Sequence, residues 1–205
     1  LCVLAAPDKY NRNAWDDDET NDEQWPYRVK FSGTDLLGNV TIPEGDPTDV
    51  ETSLEVSLDA SSESYPLHTF NLLNEGVMQK IAVAFKMQPS EIAAATLDDA
   101  TVKADGFNGP AEGKIAVGLT NPDGKVSYAY SANGIGFWIA ADGTASSWGD
   151  TPIYYEYDAS GYGLTVGHNP GHSEKSKTYI IKPTMVYNKG GKLHKAVITI
   201  KMKFA

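Results

Sequence analysis

Residues 177–204, "KTYIIKPTMVYNKGGKLHKAVITIKMKF", carry the pattern that decides the fold. In the last segment Ala196, Ile198, Ile200, Met202 and Phe204 alternate with Lys195, Val197, Thr199, Lys201 and Lys203, so a period of two gives a strand with one apolar and one mostly wetted face. The preceding "TYIIKPTMVYN" reads as a second strand. Between them "NKGG" reads as a hairpin turn in which glycine supplies the positive φ. Pro183 interrupts the earlier strand and marks a bulge, a bend or an edge position, because it has no N–H to donate to a ladder.

The same signature recurs upstream. "KIAVGLT", "KVSYAY", "GIGFWIA", "PIYYEYD" and "GLTVGH" are strand-like and are punctuated by "NPDG", "ADG" and "SGYG". Earlier, "YRVKF" and "ETSLEVSLD" alternate again, the second placing Leu54, Val56 and Leu58 opposite Glu55, Ser57 and Asp59. Many short strands with no helix between them in the second half predict a mainly β protein, an antiparallel β-sandwich of jelly-roll-like kind, rather than a parallel α/β sheet. The exception is "LLNEGVMQKIAVAFKMQPSEIAAATL". Leu73, Val77, Ile81 and Phe85 recur every fourth residue, and Pro89 with Glu91 suits a helix start, so a short helical pair is predicted over residues 73–97, capping the sheet. A DNA-reading helix pair is excluded, since "SEIAAATL" offers no Lys, Arg, Asn or Gln to base edges.

Charge divides the 205 residues unevenly. Residues 1–60 hold 14 Asp/Glu against 4 Lys/Arg, whereas residues 61–205 hold 13 of each, within a net charge of −10. Residues 1–26 read as an acidic N-terminal arm and 27–205 as the β domain that includes the helical pair. With only Arg12 and Arg28 as arginines and no basic face, the chain would be repelled by phosphate backbones, which argues against nucleic acid. No apolar run reaches the roughly 20 residues of a membrane span. Cys2 is the lone cysteine and excludes an intrachain disulfide. It stands where a bacterial lipid anchor could be attached, although "LCVLAA" also fits the tail of a secretion signal or a first strand.

Motifs for chemistry are weak. His168 and His172 in "GHNPGH" have helical zinc spacing, but Pro170 and the glycines make the segment a loop. Glu156 and Asp158 lie on one side of a strand about 7 Å apart, a feasible glycosidase pair whose plainer reading is a wetted strand face. The acidic "DDDETND" lacks the glycine of a calcium loop, "NKGGK" lies between strands rather than before a helix, and GxSxG is absent. The expectation is therefore a protein without metal, cofactor or catalytic residues.

Aromatic residues remain to be placed. In "GIGFWIAADGTASSWGDTPIYYEYD", residues 134–158, alternation puts Tyr155 and Tyr157 on one face and Tyr154, Glu156 and Asp158 on the other, so the rings cannot all share one core. Phe137 and Trp138 straddle the sheet. Trp148, in the loop "TASSWGD", stands where binding residues project from a β scaffold. A flat ring beside Asp, Asn and Tyr groups is suited to stacking on a sugar while hydrogen-bonding its hydroxyls. The predicted ligand-binding set is Trp148, Tyr154 and Tyr162, with polar help from Asp150 and His168.

In the order "FNLLNEGVMQKIAVAF", "GFWIAADG", "WGD", "YYEYD", "VGHNPG" and "TYIIKPTMVYN", residues 65–205 resemble an uncharacterised domain family of secreted proteins and surface lipoproteins of Bacteroidetes, often in glycan-utilisation settings. That resemblance implies an extracytoplasmic β-rich domain, extracellular, at the cell surface or periplasmic, and a glycan context. It supplies no active-site residue. The expectation is a non-catalytic carbohydrate-binding module; the alternatives are a structural or adhesive domain that binds a cell-surface protein and, third, a glycoside hydrolase.

Overall fold

A computed structural model describes residues 39–205. The expected acidic arm, its boundary near residue 26, the "YRVKF" strand and Cys2 lie outside the described residues. The C-terminal alternation forms the longest strand, β11 (Lys192–Phe204), and its five alternating apolar side chains from Ala196 to Phe204 are all buried. Around it the chain supplies β1 (Val50–Leu58), β3 (Ile115–Thr120), β4 (Val126–Ser127), β9 (Thr178–Ile181) and β10 (Pro183–Lys189). These make one sheet in the order β1-β11-β10-β3-β4, with β9 also on β11.

One sequence expectation changes here and a second is narrowed. First, β1 pairs with β11 in parallel, Val50 opposite Ala196 through Leu58 opposite Phe204, so this sheet is mixed rather than antiparallel. Parallel neighbours need a crossover between them, and here it is the whole intervening domain. Second, Pro183 produces no bulge. Ile181 faces Ile200 on one side of it and Thr184 faces Val197 on the other, so β9 and β10 keep one register against β11 and only the ladder is interrupted.

The second sheet is antiparallel throughout. It consists of β2 (Pro66–Asn71), β5 (Ile135–Ile139), β6 (Ala145–Ser146), β7 (Ile153–Asp158) and β8 (Gly163–His168), in the order β2-β8-β7-β5-β6. The sheets share one hydrophobic core. Phe204 of β11 stacks on His168 of β8 with ring centroids 5.7 Å apart and meets Tyr179 of β9 edge-on at 5.5 Å. The Tyr155 hydroxyl crosses from β7 to donate to the Gly118 carbonyl of β3 at 2.7 Å. Tyr130 likewise donates to Val117. This explains why "KVSYAY" forms only the two-residue β4: Tyr130 leaves the ladder to satisfy a carbonyl and to pack edge-on against Phe137.

Between β2 and β3 come α1 (Val77–Phe85), α2 (Pro89–Ala95) and a third short helix, α3 (Asp99–Lys103). The first starts at Gly76, whose φ of 71° only glycine adopts freely, so Leu73 falls in the preceding turn rather than in the helix. Its buried face places Phe85 5.4 Å from the Tyr187 ring of β10. Pro89 opens α2 as expected, and the Glu91 carboxylate accepts the Gln88 N–H at 2.6 Å. Asp98 caps α3 by accepting the Thr101 N–H. That cap is a single Asx contact over five residues, too short for periodicity to announce. No helix among the described residues is long and apolar enough to cross a membrane.

Candidate functional site

Beyond β6 the chain makes a loop that carries Trp148, and 65% of that residue is exposed. The loop is braced from below. Buried Asn169 donates its side-chain amide to the Gly149 carbonyl, its N–H bonds the Pro152 carbonyl at 3.0 Å, and the Thr151 hydroxyl donates to the Ser147 carbonyl. Trp148 and Asp150 line an open depression of about 390 Å³ together with Ala140, Ser146 and Pro152. The volume lies at the lower end of the range of small-ligand clefts, and the depression is open to solvent rather than enclosing.

Ser146 leads from this depression onto the outer face of the second sheet, because it lies directly opposite Trp138 in the β5–β6 register. Trp138 faces Tyr154 across β5–β7, ring centroids 4.9 Å apart, and Tyr65 meets Trp138 edge-on at 6.2 Å. Tyr154 is only 5% exposed, which corrects the expectation of a free platform. Its ring lies over Gly167 of β8, where a methyl group would come within 2.5 Å of it. Burial, and secondarily the charge of Glu156, push the Tyr154 hydroxyl up to about 12.

Two residues further along β7, Glu156 lies over Gly136 of β5 and opposite Thr165 of β8. Thr165 shares a hydroxyl–hydroxyl hydrogen bond of 2.8 Å with Thr69 of β2. Glu156 is half-buried, and burial raises its carboxyl above the usual value. Among the described residues its carboxyl has no hydrogen bond or ion pair. The depression, the Trp138–Tyr154 pair and Glu156 thus follow one another along one face, at about 7 Å for each pair of strand residues.

The remaining sequence candidates do not join them. His168 is fully buried. Its Nε2 contacts the Ser62 carbonyl at 3.0 Å and its Nδ1 the Ser173 hydroxyl at 2.6 Å. A carbonyl only accepts, so Nε2 carries a proton and donates it to Ser62. Both ring nitrogens are engaged within the protein, which leaves neither for a ligand. His172 is exposed while His168 is buried, so the pair does not converge on a metal. No three His, Cys, Asp or Glu residues gather for one among the described residues. Tyr162 sits with φ 54° in the turn joining β7 to β8, and its carbonyl accepts the Leu72 N–H at 2.9 Å. Trp148 is at the other end of β7, about 20 Å away by strand rise. Asp158 turns to the same distant turn, where its Oδ1 accepts from the Ser160 hydroxyl at 2.7 Å and the Ser160 N–H at 2.9 Å, which lowers its carboxyl.

Of the residues expected from the sequence, Trp148 and Asp150 line the depression, whereas Asn169, which braces the loop, and Tyr65, which packs on Trp138, carry no sequence signal for a site. Asn169 stood in view inside "GHNPGH", masked by the histidines on either side. Trp138 becomes part of the face only once the β5–β6 register is known.

No curated protein and no solved structure matches the chain. Residues 1–38 match a family described as Family of unknown function (DUF6055). The second match begins just before β2 and ends at Lys192, the first residue of β11, so it covers well over half of the chain and takes in the whole candidate face. By that match over residues 64–192, the chain belongs to the family described as Domain of unknown function (DUF4859).

Proposed function

We propose that this protein is a non-catalytic binding module for carbohydrate, working outside the cytoplasm at a bacterial surface of the Bacteroidetes kind that the sequence resemblance implies. The observation that carries the reading is Trp148: a large ring 65% exposed, yet on a loop braced by Asn169 and Thr151 and set beside Asp150 and an open depression. Holding such a ring in water costs hydration free energy, and ordering it in advance lowers the entropy lost when a sugar stacks on it. On the fold side, the core common to both sheets supports a sandwich, and the parallel β1–β11 pair is its departure from an all-antiparallel jelly roll.

The test is a glycan array read together with intrinsic tryptophan fluorescence. A saturable hit that shifts emission is expected. Trp148→Ala should abolish it while changing the unfolding free energy by less than about 0.5 kcal/mol, as for other exposed positions. A variant that unfolds would show that the ring supports the core and would sink the reading. A clean negative from a folded wild type would favour a protein partner at the cell surface instead.

One observation favours a second reading, glycoside hydrolysis. Glu156 is shifted up and Asp158 down, the split expected of an acid and its partner carboxylate. Against it, both hydrogen bonds accepted by Asp158 Oδ1 come from Ser160 in its own turn. Release of reducing ends from a broad glycan panel, lost in Glu156→Gln, would revive it.

A further inference from the structure

Glu156 is the feature that the binding reading leaves unused. It is half-buried on an aromatic face, and among the described residues nothing donates to it. Its bed is made of backbone: a methyl group at Gly136 would come within 2.4 Å of the Tyr155 carbonyl oxygen and 3.1 Å of the Glu156 Cγ, so the glycine is what lets the side chain lie down on β5. Beside it are Tyr154 on the same strand and the Thr165 and Thr69 hydroxyls on β8 and β2.

The charge around it is of one sign. Residues 126–174, which include β4 through β8, contain no Lys or Arg, but do contain Asp142, Asp150, Glu156, Asp158 and Glu174. The lysines of the strands instead lie on β10 and β11 of the first sheet, where Lys203 is paired with Glu55. Lys103 reaches the Ala132 carbonyl near Gly136, but its ammonium is held by Asp99 at 3.1 Å.

From this geometry we infer that the face takes neutral glycans and rejects uronic-acid and other anionic ones, with Glu156 accepting ligand hydroxyls as the residue that sets the preference. This rests on the carbohydrate reading above. A carboxylate with four lone-pair positions and no partner is matched by neighbouring hydroxyls, which only have to donate. A sugar carboxylate in the same position would meet the Glu156 carboxylate with no Lys or Arg on β4 through β8 to offset it, and the partly desolvated surroundings make that repulsion larger than it would be in water.

The experiment uses the full chain on immobilised β-1→4-linked oligosaccharides in matched pairs that differ at C6: glucan beside glucuronan and mannan beside mannuronan. Binding to at least one neutral member is expected, with its uronate counterpart weaker by about fivefold or more at low salt and the gap narrowing as salt screens it. Glu156→Gln, shown to be folded by circular dichroism, should bring the two members of the pair closer together by removing the charge while keeping one acceptor. Uronates bound as well as neutral members, or a ratio unchanged in Glu156→Gln, would overturn the inference. If binding occurs and is lost in Trp148→Ala but shows no neutral preference, the carbohydrate reading stands and this inference falls. If the folded wild type binds nothing on an extended array, both fall together.

Discussion

Gly167 illustrates how a residue without a side chain builds this molecule. A methyl group there would lie 2.1 Å from the Tyr65 carbonyl oxygen, which accepts the His168 N–H, and 2.5 Å from the Tyr154 ring. Backbone cannot retreat as a flexible side chain would, so Gly167→Ala is expected to cost about 1–3 kcal/mol, read from the midpoint of urea unfolding. Glu156 makes the opposite case. Its folded carboxyl is shifted up by burial, so the native state binds more protons than the unfolded chain in the window between the unfolded and the folded values. Stability is therefore lost as pH rises through that window. Glu156→Gln should melt at a higher temperature than the wild type at pH 7, and the advantage should disappear below about pH 4, where the unfolded carboxyl too is protonated. A variant that is less stable at neutral pH would show that the carboxylate has partners and stabilises the fold.

At the level of elements, the Trp148 loop depends on a neighbouring segment rather than on itself. Asn169 is 4% exposed and is the cross-brace from the end of β8 to Gly149. Asn169→Ala leaves that carbonyl without its donor and is expected to cost about 1–3 kcal/mol. It should also weaken glycan binding although every ring is intact, because the ordering of Trp148 would have to be supplied on association. Unchanged affinity in a folded Asn169→Ala protein would show that the loop is ordered without it. The helices were legible in part: Pro89 announced α2, whereas the start of α1 was set by Gly76 and lay one turn later than Leu73 suggested.

For the whole molecule, Phe204 is one of the points where the two sheets meet. It pairs with Leu58 in register, stacks on His168 and abuts Tyr179, and its N–H bonds the Lys177 carbonyl at 2.9 Å. Phe204→Ala would leave a cavity between the layers and is expected to cost about 3–5 kcal/mol by denaturant unfolding. Since both sheets line one core, near-ultraviolet and far-ultraviolet signals should be lost in a single transition. Separate transitions would show that the sheets are stabilised independently.

What the sequence determined by itself was whatever rests on local rules. The period of two gave β11 its buried and wetted faces, glycine turns marked the hairpins, and a tryptophan in "TASSWGD" was left without a face to bury. Alternation also separated Tyr155 from Tyr154 correctly, but it could not tell that both faces of β7 are covered. That depended on which strands lie beside it: Trp138 on β5 and Gly167 on β8 bury Tyr154 on a face that the alternation leaves to solvent. The same holds for His168, whose Nε2 partner is Ser62, 106 residues away, and for β1, which meets β11 only when the chain has closed on itself. Side-chain period is a property of a few consecutive residues, whereas strand order is chosen by the burial of the whole core, and only the tertiary structure holds that choice.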